Sequence, residues 1–458
     1  MSNYQIGFLG GIAGHFYSLA KAFVEEGYKV VFIRYLDDMF AHNQPVWYDI
    51  PFTLTYADVM ETPRWSIHKW KALEEKLGWK PPPWFVDYDQ LINCKDVRNF
   101  ADLKIDGPYW VRATYKIFEI LKPYFKAVRK FMSECDLLIV NDHFPLIIAA
   151  VCGKPFIYIP YGGDIRRMVG KEKFHLPTLK SKVRWFLKSK WGWYILLKLS
   201  RWAVSKALFV GSHDPFGSWG GGDSLDILKI RSLKRIPYPV RIIRQPTPKE
   251  KSDIRKKIVS KFLPNLKLQD NIPLIFCSSR IDFKWKGTNI FIEALLSSVS
   301  EVDGKLQILF SGWGVDFVKA KDLINSHKLQ SLVTFLDFSL SKPVLYEFFK
   351  AADLVVDQFV LGSYGATCVE SMSVGTPVLM YINEREFERW GFPAPPVLNA
   401  SNKEEISNLL KKIASGQIDL HGQGKICQQW VEKYHKSDLV VHQIISEYKR
   451  EISQVKKS

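Results

Sequence analysis

Short apolar runs alternate with stretches of helical periodicity along most of the chain. Near its start, an apolar run at residues 4–10 precedes a glycine-rich turn, a helix-like stretch at 16–26 and another apolar run at 29–35. Continuous apolar runs are typical of parallel strands that are buried on both faces, whereas strands with one solvated face alternate in polarity. The pattern therefore predicts an α/β fold built on parallel sheets.

A second series of strands and helices begins after residue 270. The stretch before it, IPYPVRIIRQPTPKEKS, is dense in proline and charge, so residues 241–270 are interpreted as a linker region. We predict two Rossmann-like doubly wound domains, at residues 1–240 and 271–436, with a cleft between them. A C-terminal helix at 437–458 is expected to pack back on the first domain. In such sheets, ligands bind outside the carboxyl ends of the strands.

The composition narrows the class of protein. The six cysteines include no CxxC pair and form no Cys/His cluster, so no metal site is predicted and reduced thiols in a cytoplasmic protein are expected. The N-terminus has no basic segment before its apolar run, and no apolar run approaches the roughly 20 residues that span a bilayer. We therefore expect a soluble or peripheral protein.

Two cations follow a predicted strand in SSRIDFKWKG. Arg280 comes directly after the strand, and Lys286 comes six residues later, just before Gly287 and a helix. Cations at the carboxyl end of a strand suit a diphosphate, which arginine can bind in bidentate fashion. The alternative is an ordinary basic loop.

The stretch GSYGATCVESMSVGTPV predicts a second anion-binding feature. Its glycines allow close approach to the backbone, and the free N–H groups at the start of its helix favour a phosphate. Glu370, one turn into that helix, is placed to accept hydrogen bonds from ribose hydroxyls, or it only completes the helix N-terminus. The candidate donor-binding residues are Gly362, Ser363, Gly365, Ala366, Thr367 and Glu370.

These motifs together resemble a known family. RIDFKWKG, ILFSGWG, VTFLDFSLSKPVLYEFFKAADLVVDQ and GSYGATCVESMSVGTPV look like the C-terminal half of the GT-B glycosyltransferases of family 4, the glycosyl transferases group 1. The resemblance covers residues 274–448. GGIAGH, NDHFP and YGGDI match the N-terminal half more loosely.

The resemblance implies a hexosyltransferase-type enzyme that uses a nucleotide diphosphate sugar such as a UDP-sugar, retains configuration and needs no metal or other cofactor. Arg280 and Lys286 would hold the donor diphosphate and act in catalysis, and Glu370 would bind the ribose as the second Glu of an E-x7-E motif. The first Glu, which contacts the donor sugar, is replaced here by Gly362, as in a subgroup with Asp-Gln before the loop. Asp357 and Gln358 are candidates for its role.

The N-terminal half offers weaker candidates. A turn with Gly10, Gly11 and Gly14 would approach the donor phosphates or the acceptor, although tight packing of strand and helix also explains it. His143 in NDHFP matches the His-x-Pro position of the family near the donor sugar and is the third catalytic candidate.

Two further residues of this half are candidates for contact with the acceptor. His15, at the entry of the first helix, would be the base if the reaction inverts configuration. Asp164, in YGGD, resembles the Gly-x-Asp turn of the family. Each histidine has a structural role as its alternative.

The net charge of +17 predicts an anionic partner. Between Glu172 and Asp214 there is no acidic residue, but there are nine Lys/Arg and four Trp. This mixture suits the interface of an anionic membrane, and the alternative is a set of core helices with solvated basic faces. No nucleic-acid recognition motif is present, so a nucleic-acid partner is not expected.

The sequence therefore predicts a cytoplasmic glycosyltransferase that is peripheral on the inner face of the cell membrane. It would move a sugar from a nucleotide diphosphate sugar to a lipid-linked or polysaccharide acceptor in cell-envelope glycan synthesis. The alternative from another class is a non-catalytic partner subunit that binds a nucleotide sugar with the same fold.

Overall fold

The chain forms two compact units in a computed structural model. Unit 1 comprises Met1–Pro45, Pro63–Pro239 and Ser437–Ser458, and unit 2 comprises Val46–Thr62 and Val240–Lys436. The structure describes residues 4–10, 15–34, 44–62, 65–87, 105–121, 124–160, 163–169, 190–212, 228, 230, 232–264, 266 and 268–455.

The strands of the described residues are numbered in chain order. They are β1 Gln5–Leu9, β2 Lys29–Ile33, β3 Thr53–Thr55, β4 Phe85–Val86, β5 Leu137–Val140, β6 Phe156–Tyr158, β7 Phe209–Ser212, β8 Leu233–Arg235, β9 Leu274–Cys277, β10 Gln307–Phe310, β11 Val333–Phe335, β12 Phe338–Leu340, β13 Leu354–Val356, β14 Val378–Met380 and β15 Leu398–Asn399.

The helices are numbered in the same way. They are α1 His15–Glu25, α2 Val46–Asp49, α3 Tyr56–Glu61, α4 Ile67–Lys76, α5 Tyr109–Leu121, α6 Tyr124–Ser133, α7 His143–Val151, α8 Gly163–Met168, α9 Lys190–Val204, α10 Pro248–Phe262, α11 Thr288–Val302, α12 Phe317–Ser326, α13 Lys342–Ala351, α14 Ala366–Ser373, α15 Glu384–Arg389, α16 Lys403–Ala414, α17 Leu420–His435 and α18 Ser437–Val455.

Each unit contains one parallel sheet. The sheet of unit 1 has the order β4-β2-β1-β5-β6-β7-β8, and the sheet of unit 2 has the order β11-β10-β9-β13-β14-β15. The register runs parallel throughout, with Ile6 opposite both Val30 and Leu137, and Ile275 opposite both Ile308 and Leu354. The predicted α/β class with two doubly wound sheets is confirmed.

The central strands are apolar because helices cover both of their faces. All four residues of β5, LLIV, and all four of β9, LIFC, are buried. In unit 2, Ile275 and Cys277 belong to a core that also includes Phe291 of α11 and Ile406 of α16. Burial on both faces removes the polar alternation of a one-sided strand, so the continuous apolar runs have a physical cause.

The segment interpreted as a linker contains a packed helix. Thr247 and Glu250 form a capping box at the start of α10, and Pro248 occupies the first turn, where a missing N–H costs nothing. Arg255 is buried, donates to the carbonyl of Ala351 at 3.0 Å and pairs with Asp353 at 2.5 Å. Residues 248–262 are therefore an integral part of unit 2, and their density of proline and charge reflects helix capping and ion pairing.

Residues 46–62 also depart from the predicted boundaries, because they belong to unit 2 although the sequence analysis assigned residues 1–240 to one domain. Strand β3 pairs antiparallel with β12 in a separate two-stranded sheet, with Leu54 opposite Ser339. Tyr56 stacks on Phe317, with ring centroids 4.7 Å apart. These contacts join residues that are far apart in sequence, so local patterns give no signal for them.

The C-terminal helix α18 lies in unit 1 and packs against α1. The ring of Tyr448 meets that of Tyr4 edge-on at 5.8 Å, and Lys234 pairs with Glu451 at 3.2 Å. Among the helices of the described residues, none is long and apolar enough to cross a membrane.

Candidate functional site

The order of strands reverses between β9 and β13 in unit 2. From β9 the chain adds β10 and β11 on one side, and β13, β14 and β15 follow on the other side. Loops that leave adjacent strands in opposite directions open a crevice at the carboxyl edge, and this is where ligands of such sheets bind. The loop after β9 carries Arg280 and Lys286, and the loop after β13 carries Asp357 and the stretch from Gly362 to Thr367. The topology thus brings the predicted cations and the predicted anion-binding helix to one place.

A compact charged cluster lies at this switch point. The Lys286 ammonium donates to Oδ1 of Asp357 at 2.8 Å, and the Ser279 hydroxyl donates to the same oxygen at 2.5 Å. The Asp357 side chain is fully buried, whereas Lys286 remains 20% exposed. Oδ2 of Asp357 is buried and has no hydrogen-bond partner within the described part of the chain. The carboxylate therefore orients the ammonium, which keeps part of its surface for a ligand.

Arg280 is the more accessible of the two predicted cations. Its side chain is 45% exposed, and its Nε lies 3.2 Å from Oδ2 of Asp282. Asp282 itself is buried and its Oδ1 accepts from the N–H of Trp285 at 2.8 Å, which fixes the turn between the two cations. Gly287 closes this turn with φ +67°, a conformation that residues with side chains rarely adopt.

Gly362 cannot be replaced by a glutamate without strain. Its φ is +66°, and an added Cβ would lie 2.9 Å from both the Cβ of Asn383 and the Cε1 of Tyr381. Its carbonyl accepts from the N–H of Asn383 at 2.9 Å, which holds the loop against that segment. The backbone at position 362 therefore favours glycine over glutamate.

The two candidates for its role have different surroundings. Asp357 contacts Lys286, as described above. Gln358 is buried. Its side-chain amide donates to the carbonyl of Ser363, and its backbone carbonyl accepts from the N–H of Tyr381 at 2.8 Å. Gln358 thus supports the loop, and Asp357 is the carboxylate that the structure brings to the predicted diphosphate site.

Helix α14 begins beside this cluster. It runs from Ala366 to Ser373. Gly365 is the residue before the helix, and an added Cβ there would meet no atom of the described residues within 4 Å. Ala366 and Thr367 are partly exposed, whereas Ser363 is buried. Among the described residues no side chain caps this helix, which leaves its first N–H groups to an anion.

Glu370 is buried and paired within unit 2. Both of its carboxylate oxygens accept from the Lys342 ammonium, at 2.6 and 2.5 Å, and its side chain is 2% exposed. Tyr48 and Tyr346 surround it. Burial raises the pKa of both phenols well above 10, and the negative charge of Glu370 raises each pKa further. Both tyrosines are therefore neutral hydrogen-bond donors near a charged carboxylate.

Sequence reasoning missed Lys342 and Tyr48. Ser341 and Pro343 gave a visible signal for the start of a helix, but nothing in the local pattern shows that Lys342 reaches Glu370. The ring of Tyr48 lies under the same ammonium at 5.8 Å, although it comes from the beginning of the chain. Contacts between segments so far apart depend on tertiary packing alone.

The candidate residues of unit 1 are Gly11, Gly14, His15, His143 and Asp164. Gly11 and Gly14 are outside the described residues. His15 packs against Tyr238 at 4.0 Å between ring centroids. Asp164 lies in the short helix α8.

His143 is fully buried at the start of α7. Its ring Nδ1 lies 3.0 Å from the hydroxyl of Ser200. Its backbone N–H donates to the side chain of Asp142, which caps the helix. Asp142 adopts φ +63°, an unusual conformation for a residue other than glycine. The surroundings of His143 in unit 1 are thus those of a packed histidine.

Comparison with known proteins identifies a family that matches part of the chain and a fold that matches all of it. Residues 260–385 match the family described as Glycosyl transferases group 1. This segment contains Arg280, Lys286, Lys342 and Glu370. No curated protein matches the chain.

Solved structures resemble the whole chain. HepE from Anabaena, in complex with UDP and glucose, is 15% identical in sequence and matches with a TM-score of 0.57. The match covers 97% of this chain and 99% of the HepE chain. Sucrose-phosphate synthase from Thermosynechococcus elongatus is 13% identical, has a TM-score of 0.59 and covers 99% of this chain and 100% of its own. The fold is GT-B.

A third structure of this fold is a mutant of TarM from S. aureus in complex with fondaparinux, alpha-GlcNAc-glycerol and UDP. It is 10% identical, has a TM-score of 0.55 and covers 97% of this chain and 99% of its own. At these identities the likeness concerns the fold, and the chemistry of this chain rests on its own residues.

Proposed function

We propose that the protein is a glycosyltransferase of family 4 that moves a hexosyl group from a nucleotide diphosphate sugar, a UDP-sugar in the first instance, to an acceptor. The observation that carries the proposal is the Lys286 ammonium, oriented by buried Asp357 at the switch point of unit 2, next to the N-terminus of α14, which no described side chain caps. A diphosphate matches this arrangement in charge and shape. The match of residues 260–385 to the Glycosyl transferases group 1 family supports the same conclusion.

The leaving diphosphate is where negative charge develops during transfer. Arg280, Lys286 and the N–H groups at the start of α14 would stabilise that charge, and such preorganised groups are the largest single contribution in many enzymes. With retention, the bond from the anomeric carbon to the diphosphate oxygen breaks while the acceptor oxygen bonds to the same face. The proton of the acceptor hydroxyl passes to the departing diphosphate, so no protein base and no metal cofactor is required.

The proposed acceptor is lipid-linked or a polysaccharide of the cell envelope, and a basic surface of unit 1 supports docking on the cytoplasmic face of an anionic membrane. Helices α5 and α9 expose large apolar side chains beside lysines: Tyr109 is 78% exposed, Ile117 53% and Tyr194 58%. Lys116 is also exposed, and Lys198 of α9 lies 5.0 Å from the ring centroid of Trp110 in α5. Exposed aromatic rings with nearby lysines suit the headgroup region of a bilayer.

Turnover tests the enzyme proposal. The protein is incubated with a panel of sugar nucleotides and membrane lipid extract, and release of nucleotide diphosphate is measured together with the glycosylated product. The expected result is transfer from one donor, with the anomeric configuration of that donor kept in the product by NMR. If the protein binds a donor but releases no nucleotide diphosphate with any acceptor, it is a non-catalytic partner subunit and the enzyme proposal is wrong. An inverted product would remove the proposed retention.

Flotation with liposomes tests membrane docking. We expect recovery with anionic vesicles to exceed recovery with neutral vesicles, and Lys116→Glu combined with Tyr194→Ala to remove the difference. Lys319→Glu, which changes an exposed lysine of unit 2, serves as the control for charge alone. Equal recovery with both vesicle types would contradict this part of the proposal.

A further inference from the structure

We infer that Lys342 is a positioning residue of the donor site. Lys342 orients the Glu370 carboxylate as the acceptor for the ribose hydroxyls, and residues 46–62 hold Lys342 in place. The inference rests on the proposed role of Glu370 toward the ribose. It assigns a task to a lysine and to a segment from the start of the chain, neither of which the sequence motifs single out.

The first observation is the geometry of the pair. A carboxylate offers about four lone-pair directions, two on each oxygen. Lys342 donates to both oxygens of Glu370, at 2.6 and 2.5 Å, and so fixes the plane of the carboxylate. A vicinal diol such as the 2′ and 3′ hydroxyls of ribose can then bind the same carboxylate, with one hydroxyl to each oxygen.

The second observation is burial. The Glu370 side chain is 2% exposed and that of Lys342 is 13% exposed. A carboxylate removed from water to this degree requires a counter-charge. The tyrosines at 48 and 346 supply neutral phenols, and Lys342 supplies the positive charge. Lys342 therefore allows Glu370 to remain a charged acceptor in a nearly dry position.

The third observation is how Lys342 is held. It is the first residue of α13, and Ser341 before it exchanges two hydrogen bonds with Phe52: the Phe52 N–H donates to the Ser341 hydroxyl at 2.8 Å, and the Ser341 N–H donates to the Phe52 carbonyl at 3.0 Å. Strand β3 pairs with β12 directly before this point. The ring of Tyr48 then lies 5.8 Å from the Lys342 ammonium. Residues 46–62 thus brace both the backbone and the side chain of Lys342.

The role predicts selective loss of ribose recognition. We expect the unaltered protein to bind UDP about 10- to 100-fold more tightly than 2′,3′-dideoxy-UDP, because two hydrogen bonds to a charged group are lost in the analogue. In Lys342→Met, this ratio should fall to less than about threefold, chiefly through weaker UDP binding. A merely structural lysine would change both affinities alike and leave the ratio intact.

The experiment is calorimetric titration of both nucleotides into the folded full chain. Lys342→Arg, which keeps the charge and the donors, should retain most of the ratio. Lys350→Met removes another lysine of α13, one that pairs with Glu347 at the surface, and should leave the ratio unchanged. If Lys342→Met does not fold, Lys342→Gln takes its place, with the same expected fall in the ratio.

The outcomes separate the two proposals. Failure of the unaltered protein to bind UDP would overturn the proposed function. Binding of UDP and the dideoxy analogue with equal affinity would overturn the inference alone. The inference would also be overturned if Lys342→Met, or Lys342→Gln in its place, kept the full ratio of affinities or bound UDP more tightly than the unaltered protein.

Discussion

The two sheets have the same topology at their centres, yet their switch points differ in chemistry. In unit 2, the edge between β9 and β13 carries the ion pair of Lys286 and Asp357 and the half-exposed Arg280. In unit 1, the described edge between β1 and β5 carries Asp142, which caps α7, but no lysine or arginine, and it is tightly packed. There Gly10 lies against the buried side chain of Asn141, and an added Cβ on that glycine would be 1.8 Å from the Asn141 Oδ1.

The difference shows that topology supplies the place and local residues supply the chemistry. Strand order brings two loops together in both units. Whether the edge can hold an anion then depends on cationic side chains that keep some exposure and on helix N–H groups that no side chain caps. Among the described residues, unit 2 has both at its switch point, and the corresponding edge of unit 1 is a packing surface.

The largest effect is expected at Lys286. Replacing it with Met should lower kcat/KM about 100- to 1,000-fold, because a preorganised cation at the leaving group is lost. It should also lower the free energy of unfolding by about 3 kcal/mol, because the buried Asp357 carboxylate loses its counter-ion. Turnover assays and urea denaturation measure the two effects.

A double variant separates stability from chemistry at this position. Lys286→Met with Asp357→Leu removes the unpaired charge, so stability should recover while activity does not. Recovery of activity together with stability would mean that Lys286 has a structural role only, and the contrast between the two units would fail.

At the packed edge of unit 1, we expect a glycine substitution to lower the free energy of unfolding, whereas the matched substitution in unit 2 should be tolerated. Gly10→Ala combines a φ of +149° with a steric conflict at Asn141, so a loss of about 2–4 kcal/mol in the free energy of unfolding is expected. Adding Asn141→Ala should restore part of it, because the conflict is removed.

Gly365→Ala is the matched change in unit 2, where the added Cβ meets open space and φ is not positive. It should leave stability unchanged or slightly higher. Equal losses for the two glycine variants would contradict the comparison.

Introducing a glutamate at position 362, where the resemblance would place one, should destabilise the protein. Gly362→Glu is expected to cost about 1–3 kcal/mol, because φ is +66° and Tyr381 and Asn383 occupy the space of the new side chain. Activity should fall as well, because the backbone that leads to α14 shifts. Thermal unfolding and a turnover assay test this, and a stable variant with higher activity would show that the glycine is replaceable.

The smallest effect concerns alkaline pH. Tyr48 and Tyr346 have pKa values raised well above 10 in the fold, by burial first and by Glu370 second. The unfolded chain therefore releases these protons first, so stability is full below about pH 10 and declines above it, by up to about 1.4 kcal/mol per pH unit for each group. Tyr48→Phe should reduce this slope, and Tyr115→Phe in unit 1 should reduce it by a similar amount, because burial is also the largest cause there. Urea denaturation at several pH values measures the slope, and an unchanged slope in both variants would contradict the assignment.

Much of the donor site could be predicted from sequence because its residues follow short, regular elements. Helix α14 and the loop with Arg280 and Lys286 could be predicted from glycines and charge that follow apolar runs. The helix start at Thr247 was missed, because proline and charge density favoured a linker there. The pairs of Lys286 with Asp357 and of Lys342 with Glu370 have no local signal, because they join separate strands and helices in the folded state.

Titration of UDP by calorimetry, with the unaltered protein and two lysine variants, tests the central claim most directly. Lys286 and Lys284 lie in the same loop, but Lys284 is exposed and packs near the ring of Trp285 instead of Asp357. The account predicts that Lys286→Met weakens UDP binding by at least about 10-fold, whereas Lys284→Met changes it less than about twofold. Equal affinities in the two variants would contradict a diphosphate site at the switch point of unit 2.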